Sequence, residues 1–337
     1  MSATDTNLAL PDLRDSRLVS DPSLRLSAVV VLTGAVLWFL SDRYPADIPA
    51  FLPWDFFWTD YLCIAFPLVW YLRGLWLTPA GRRPHILRRI AFLTGVALIY
   101  AVVQTRFVYF AQHMFFLNRI QHLGMHHLGP VLVALGWPGE TIARGMPPFM
   151  RRVVGARWIK AVLRVVQQPF IAGTLFVGLL AFWLIPGIHL PAMISPGLYD
   201  VMNLSMVIDG LFFWFLILDP RPAPEATHSF ATRLITVILV CFPEMIIGAM
   251  LSFSTQSMYA YYDICGRLLP SIGALQDQHI GGIVIWIPGS MMSSIAFMII
   301  MIHLRVQEDK AVGGVHHDDI VLPSGARISS ASWTGRS

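Results

Sequence analysis

Eight apolar segments, separated by shorter polar stretches, dominate the pattern of hydrophobic and polar positions along the chain. Most are close to the length of about 20 residues that a helix needs to cross roughly 30 Å of hydrocarbon. Because every backbone amide in lipid must find its partner within its own segment, the pattern predicts helices rather than strands. The predicted spans are residues 25–41, 56–72, 89–111, 120–137, 168–186, 201–218, 233–253 and 281–304.

This pattern places the chain in the all-α class, as a polytopic transmembrane helical bundle of about eight spans that covers residues 25–304. A polar segment, residues 1–24, precedes the bundle and lacks an apolar core, so no cleavable signal peptide is expected. Residues 305–337 are predicted to form a flexible, solvated tail, in which His316 and His317 are a weak metal signal.

The charge distribution predicts how the bundle is oriented in the lipid bilayer. Hydrophobic residues make up 55% of the 337 positions and charged residues 13%, against about 25% charged in soluble domains. The net charge of +4 comes from arginines grouped in loops, so it concerns orientation rather than nucleic acid. Loops 73–89 and 138–167 are basic and therefore cytoplasmic, while loops 42–55, 187–200 and 254–280 contain little Lys or Arg. Both termini are then cytoplasmic, and the expected location is the bacterial cytoplasmic (inner) membrane.

Histidines are concentrated in one stretch of the chain. Four of the eleven lie within residues 109–138: His113, His122, His126 and His127. Asn118 and Arg119 interrupt the apolar character of this stretch, which indicates the tip of a helical hairpin at the outer face of the membrane. An oxidising outer compartment favours His and Met over Cys as copper ligands. The three cysteines are scattered, without a CxxC motif, so thiolate metal chemistry is not expected.

The spacing of these histidines favours a metal site. His122 and His126 are four residues apart and share one helix face, whereas His127 points about 100° away and is free to make a different contact. A turn at residues 118–119 gives His113 and His122 similar depth on two helices roughly 8–10 Å apart, which one ion can bridge. Copper is the expected metal, with ligands His113, His122, His126 and His127 and the weaker candidates Met114, Met125, His189 and His279.

Other interpretations of these residues stay open. Histidines at a membrane interface often bond backbone carbonyls or lipid headgroups, and methionines in membrane helices commonly serve packing alone. A pair of histidines on two helices also suits haem, which would make the chain a membrane redox protein. The sequence leaves the oligomeric state undetermined.

Two acidic residues lie deep inside predicted spans. Asp209 is near the middle of the sixth span and Glu244 near the middle of the seventh. Buried charges in lipid are costly and often mark a path for ions or protons, so a proton or small-solute transporter is a further hypothesis. The alternative is that both acids are hydrogen-bonded for packing, and Arg106 is a candidate partner. No motif of soluble enzymes occurs, and the chain is expected not to be an enzyme.

Four stretches carry a resemblance to a known family. They are QHLGMHHLGPVLVALGWP (121–138), GLYDVMNLSMVIDGLFFWFLILDPRP (197–222), FPEMIIGAMLSFSTQSMYAYY (242–262) and LQDQHIGGIVIWIPGSMM (275–292). These stretches resemble the CtaG family of membrane proteins, which are needed to assemble haem–copper cytochrome c oxidase. The last contains a D-Q-x-x-x-G-x-x-x-W-x-P-G pattern, which is the more specific signal.

The resemblance implies a seven-helix core, to which residues 1 to about 50, with the first span, are an addition. It also implies a copper-related assembly role at the outer face, acting on the copper centre of the oxidase, with oxidase subunits as partners. This hypothesis leads because the resemblance and the clustering of histidines at the outer side are independent observations.

The chain departs from the family pattern at two places. The family's helix begins with a His-Met pair four residues before the histidine that matches His122, and a second histidine, often preceded by Glu, is common on the sixth helix. Here the corresponding residues are Asn118 and Arg119 for the pair, and Ile208 and Asp209 on the sixth helix. The pair His113-Met114 lies five residues further upstream, so only His122 and Pro130 transfer directly.

Overall fold

The computed structural model describes residues 22–315, 320–321 and 327–328. The polar segment predicted at the N-terminus, up to residue 21, and the tail histidines His316 and His317 lie outside the described residues. The last helix continues to Val315, past the predicted end of the last span at residue 304.

Helices are the dominant secondary structure of this part of the chain. They are α1 (Pro22–Arg43), α2 (Trp58–Leu77), α3 (Ile86–Val103), α4 (Phe107–His113), α5 (Phe115–His122), α6 (Gly129–Gly136), α7 (Gly139–Gly145), α8 (Pro148–Val154), α9 (Arg157–Val166), α10 (Pro169–Leu184), α11 (Pro186–Ile194), α12 (Pro196–Ile217), α13 (Phe230–Ser252), α14 (Tyr262–Cys265) and α15 (Ala274–Val315). A 3₁₀ turn lies at Ala80–Arg82, and a π-helical turn at Leu123–Leu128 joins α5 to α6. Two short antiparallel strands, β1 (Ile320–Val321) and β2 (Arg327–Ile328), pair with Ile320 opposite Ile328.

Within the described chain, five helices are long and apolar enough to cross a membrane: α1, α3, α12, α13 and α15. Helices α9 and α10, bent by 72° at their junction, make a sixth span if they act as one. The predicted spans 56–72 and 120–137 are helical, as α2 and as α5 to α6, but are not among these candidates. The helical membrane class is therefore confirmed, while the count of eight and the orientation of the termini stay predictions.

Helix α13 shows how these helices suit lipid. Its exposed apolar side chains recur every three or four residues and form one stripe, while the opposite stripe is buried and contains Glu244 and Gly248. The polar groups of α13 therefore face the interior of the bundle. The exposed stripe consists of Ile235, Ile238, Leu239, Phe242, Ile246 and Met250.

The predicted helical hairpin with its tip at Asn118 and Arg119 is wrong. Both residues lie inside α5 and are buried. The chain changes direction at residues 104–106, between α3 and α4, and at Met114, whose extended backbone separates α4 from α5. The polar pair interrupts an apolar sequence because it faces polar groups inside the bundle, such as the amide of Gln121, and not because it reaches water.

The histidine-bearing segment lies where two buried hydrophobic clusters meet. One cluster includes Met125 of the π turn together with Phe92 of α3 and Tyr199 of α12. The other includes Val131 of α6 and Trp214 of α12. Packed apolar side chains therefore cover this segment on both sides, and the imidazoles between them are shielded from solvent.

Helices α2 and α7 pack backbone against backbone. Gly74 of α2 lies against the carbonyl of Thr141, and Gly145 of α7 lies against the carbonyl of Trp70, so closely that an added Cβ would overlap the oxygen in each case. Small residues allow this approach between membrane helices, whose association depends on close packing. The guanidinium of Arg73 also donates to the Gly145 carbonyl, at 2.7 Å.

Asp277, at the beginning of α15, fixes the beginning of α5. Its two carboxylate oxygens accept hydrogen bonds from the N–H groups of Phe115, at 2.9 Å, and Phe116, at 2.8 Å. These are N–H groups that the first turn of a helix leaves without a helical partner. Arg267 pairs with the same carboxylate at 2.7 Å, so one buried acid ties the loop before α15 to the histidine-bearing helix.

We expect Gly145→Ala to destabilise the protein by about 1–3 kcal/mol or more, because the new methyl group must displace the backbone of α2. The measurement is the thermal unfolding midpoint in detergent. Gly139→Ala is the matched control, since it lies on the same short helix with open space around it. Equal midpoints for the two variants would contradict the close packing of α2 and α7.

We expect Asp277→Ala to destabilise the protein by about 3–5 kcal/mol, because it leaves Arg267 and two helix N–H groups without this acceptor. The matched control is Asp263→Ala, which removes the other acidic partner of the same arginine. The Asp263 side chain is 56% exposed and that of Asp277 is 1% exposed, so the control is expected to cost less than about 1 kcal/mol. Denaturant unfolding of both variants tests the difference, which vanishes if the carboxylate does not anchor α5.

Candidate functional site

A π-helical turn carries two of the four clustered histidines. The helical path from Phe115 to Gly136 is continuous but becomes wider at Leu123–Leu128. The Gly129 N–H bonds to the carbonyl of Gly124, five residues back, as the π pattern requires. Such turns occur frequently at functional sites, which draws attention to the side chains here.

Pro130 cannot donate an α-helical hydrogen bond to the carbonyl of His126. Proline has no N–H to donate to the carbonyl four residues earlier. The indole Nε1 of Trp214, on α12, donates to this carbonyl instead, at 3.1 Å. Helix α12 comes this near because residue 210 is glycine, where an added Cβ would lie 2.5 Å from the same oxygen. Helix α12 therefore holds the backbone of the π turn in place through this hydrogen bond and this close contact.

The His126 side chain contacts one of the two predicted intramembrane acids. Its Nε2 lies 3.2 Å from Oδ2 of Asp209 on α12. The imidazole also stacks on Phe176 of α10, with ring centroids 4.0 Å apart. The other ring nitrogen, Nδ1, is buried and has no hydrogen-bond partner.

His127 contacts the other predicted acid. Its Nε2 lies 3.4 Å from Oε1 of Glu244 on α13, without the geometry of a hydrogen bond, and its Nδ1 is buried without a partner. Gly289 of α15 borders this contact, since an added Cβ would lie 3.3 Å from Glu244 Oε2 and 3.7 Å from the His127 ring. The prediction that His127 makes a different contact from His126 is confirmed, although the two rings are only 5.0 Å apart.

His122 is buried, and neither of its ring nitrogens has a hydrogen-bond partner. Together with His126 and His127 it lines a small cavity of about 10 Å³, which is close to the space that one water molecule needs. A cavity of this size has no room for a haem. Arg119 and four apolar residues complete the lining: Leu123, Leu180, Val284 and Ile285.

The structure places His113 away from this cavity. It ends α4, is partly exposed, and its Nδ1 donates to the Tyr109 carbonyl at 2.6 Å. Helix α5, with eight residues and a length of about 12 Å, separates His113 from His122, so the turn at residues 118–119 that was expected to bring these two histidines together does not exist. Met114 and Met125 are fully buried and are not among the residues that line the cavity.

The two remaining candidate histidines are used in hydrogen bonds. His189, on α11, donates from Nδ1 to the Trp183 carbonyl at 2.8 Å, and its Nε2 lies 2.9 Å from the hydroxyl of Tyr262. Burial, with a contribution from the Arg119 charge, lowers the pKa of His189 well below its usual value, so this imidazole is neutral. His279 bonds the Ser254 carbonyl at 2.8 Å.

Arg106, a predicted candidate partner for the intramembrane acids, contacts neither of them. Its guanidinium lies over the ring of Trp54, 4.5 Å from the centroid. Histidines of the π turn contact the two acids instead, since His126 contacts Asp209 and His127 contacts Glu244. A single sequence does not show this choice, because the pairing depends on which face of each helix is buried.

Sequence reasoning missed two buried polar side chains of α5, Arg119 and Gln121. Arg119 lines the cavity itself, and Gln121 accepts a hydrogen bond from the hydroxyl of Tyr199 at 2.7 Å while donating to the Val102 carbonyl at 2.7 Å. The signal for them was present: polar residues recur at 118, 119, 121 and 122, within one or two turns of a single helix.

These contacts resemble those of metal-binding histidines in one respect. Such histidines commonly place the nitrogen that does not bind the metal against a carboxylate, which fixes the tautomer and raises the basicity of the ring. His126 and His127 have this arrangement. Among the residues that the structure describes, no three His, Cys, Asp or Glu side chains are placed to hold one metal ion together.

Comparisons with known proteins identify the family of the chain. A search of curated proteins and a search of solved structures each found no match. The sequence model of a family described as "Cytochrome c oxidase caa3 assembly factor" matches residues 69–307, a region that begins within α2 and contains the whole cavity. The resemblance expected from the sequence is thereby confirmed, and the chain belongs to the family of cytochrome c oxidase caa3 assembly factors.

Proposed function

We propose that this protein is a non-catalytic membrane assembly factor that binds copper with two of the three imidazoles of His122, His126 and His127 and passes it to a cytochrome c oxidase subunit. The observation that carries the proposal is a small buried cavity bordered by imidazoles that have unused ring nitrogens. Two of these imidazoles also have a carboxylate at the opposite nitrogen. In this proposal copper is cargo, held for transfer rather than for chemistry in the protein.

The donor atoms favour copper over harder cations. Imidazole nitrogen suits copper, whereas magnesium and calcium prefer oxygen ligands. Asp209 and Glu244 place carboxyl oxygens 3.2 Å and 3.4 Å from two of these rings, where they can orient the imidazoles for binding. Because no three described ligands converge, the proposed site uses two imidazoles and leaves a position for a ligand from the receiving protein.

The distribution of charged loops supports delivery on the outer side of a bacterial cytoplasmic membrane. The basic loop 138–167 follows α6 directly, so the positive-inside rule puts the end of α6 at the cytoplasmic face. Helix α5 and the cavity residues precede α6 in the chain, so they are expected to lie closer to the outer face. The copper centre of the oxidase is expected to be assembled at that face.

No specific contact favours the alternative functions. A haem-binding redox protein needs room for a macrocycle between two histidines, and the cavity at these histidines is far smaller. A transporter using Asp209 and Glu244 needs an open path along these acids, whereas both acids are buried against imidazoles.

We expect wild-type protein loaded with copper to retain about one ion per chain, and the variant with alanine at His122, His126 and His127 to retain less than about a tenth of that. Metal analysis after purification measures the ratio. His113→Ala is the matched control and is expected to bind like wild type, because α5 separates this histidine from the cavity. Oxidase activity in a deletion strain should be restored by the control and not by the triple variant.

Loss of copper in His113→Ala with retention in the triple variant would overturn the proposed position of the site. Wild-type protein that remains free of metal after copper-replete growth, while the deletion strain lacks oxidase activity, would instead indicate an assembly role without copper binding.

We expect Asp209→Asn and Glu244→Gln each to weaken copper binding by about 10- to 100-fold, because the amides no longer fix and polarise the imidazoles. Competition with a coloured copper chelator measures the affinity. Glu140→Gln is the control, since its side chain is 86% exposed and does not line the cavity. An unchanged affinity in both acid variants would show that the carboxylates serve packing alone.

A further inference from the structure

Two short helices, α8 and α9, form a surface segment that the proposed function does not use. Both helices are described in full, and neither contains a buried residue. The segment is basic, and the chain has no Asp or Glu from residue 141 to residue 199. Within the described residues, none of the five cations of the segment takes part in an ion pair. These cations are Arg151, Arg152, Arg157, Lys160 and Arg164.

Helix α9 separates its basic and its exposed apolar side chains into two stripes. Members of each stripe are three or four residues apart, so they share one face of the helix. The basic stripe consists of Arg157, Lys160 and Arg164, and the apolar stripe consists of Trp158, Val162 and Val165, each of which is more than half exposed. A helix with Lys and Arg on one face and Trp and aliphatic residues on another is typical of the boundary between water and lipid.

The bend between α9 and α10 gives these helices different directions relative to a membrane. Helix α10 contains no charged residue, and Phe170 in its first turn is 80% exposed, which suits contact with lipid. The two helices are bent by 72° at their junction. With α10 crossing the lipid along the membrane normal, α9 lies close to the plane of the membrane. The short connection at residues 167–168 keeps α9 at the surface where α10 enters.

Lipid suits both stripes of α9 better than water or another protein does. Apolar side chains exposed to water cost hydrophobic free energy, and acyl chains can cover the apolar stripe. The basic stripe is complementary in charge to the phosphate groups of anionic phospholipids, which lie at the same boundary. Because α10 holds α9 at the membrane surface, lipid reaches this helix without a separate association step. The orientation proposed above puts α9 on the cytoplasmic side.

We propose that α9, with the neighbouring α8, binds anionic phospholipids at the membrane surface. The basic stripe contacts lipid phosphate groups, the apolar stripe enters the acyl region, and the two arginines of α8 extend the basic surface. This contact anchors the beginning of α10, the helix whose Phe176 stacks on His126. None of the residues of α8 and α9 lines the histidine cavity, so lipid binding is independent of copper binding.

Hydrogen–deuterium exchange of the full-length protein in lipid nanodiscs tests this surface. The amides of α9 are expected to exchange more slowly in discs that contain anionic phosphatidylglycerol than in discs of phosphatidylcholine alone. The expected difference is at least about 5-fold, which is the effect of roughly one Lys or Arg near an anionic surface. The difference is expected to shrink in about 1 M sodium chloride, because salt screens exposed charges. This comparison needs no variant, so it does not depend on whether a substituted protein folds.

The double variant Lys160→Gln/Arg164→Gln is expected to lose most of the difference between the two lipids. Glutamine removes the charge and keeps a good helix former at both positions. The matched control is Arg82→Gln/Arg88→Gln, which removes the same charge from the basic loop 73–89 and is expected to keep the full difference.

Equal exchange of wild-type α9 in the two lipids would overturn the proposal. So would a lipid difference that persists unchanged in Lys160→Gln/Arg164→Gln. Slow exchange that requires an added oxidase subunit and is the same in both lipids would identify a protein interface instead, and it would also overturn lipid binding. Copper retention is expected to be unchanged in this double variant, so failure here is distinguishable from failure of the proposed copper site.

Discussion

The contacts of His126 with Asp209 and of His127 with Glu244 are the interactions on which the centre of the bundle depends. The two acids belong to different helices, α12 and α13, so neighbouring residues of one turn connect three parts of the fold. In apolar surroundings a carboxyl group or an imidazole without a partner is costly. The contact of His126 with Asp209 therefore offsets the penalty of two polar groups at once, and the two contacts together position α12 and α13 against the turn.

The apolar segments were sufficient to predict a helical membrane protein, because the requirement for internal hydrogen bonds in lipid leaves few alternatives. They were not sufficient to predict the path between helices. Asn118 and Arg119 interrupt the apolar pattern in the same way whether they face water or a buried cavity. Only the partners brought by the fold, such as the hydroxyl of Tyr199 on Gln121, distinguish the two situations.

The candidate site was predictable in its residue types and not in its geometry. The four-residue spacing of His122 and His126 placed both on one face, and they do border one cavity. The pattern of hydrophobic and polar residues does not predict a π turn. The position of His127 beside the same cavity therefore could not be predicted from the sequence. The aspartate of the D-Q pattern was recognisable as a feature of the family, and the structure adds its physical role, since Asp277 caps the helix that carries His122.

The π turn also sets a constraint on chain length. It holds one residue more than an α-helical turn would, so a deletion of any single residue within 123–128 would allow α5 and α6 to join as an uninterrupted α-helix. Because a π turn winds each residue through a smaller angle than an α turn, the extra residue is absorbed locally, and α6 would keep Gly129 directed toward Ile99 of α3. The side chains within the turn would lose their places, since His126 and His127 reach Asp209 and Glu244 from the widened backbone. The extra residue thus serves the contacts of these two imidazoles and not the packing of α6.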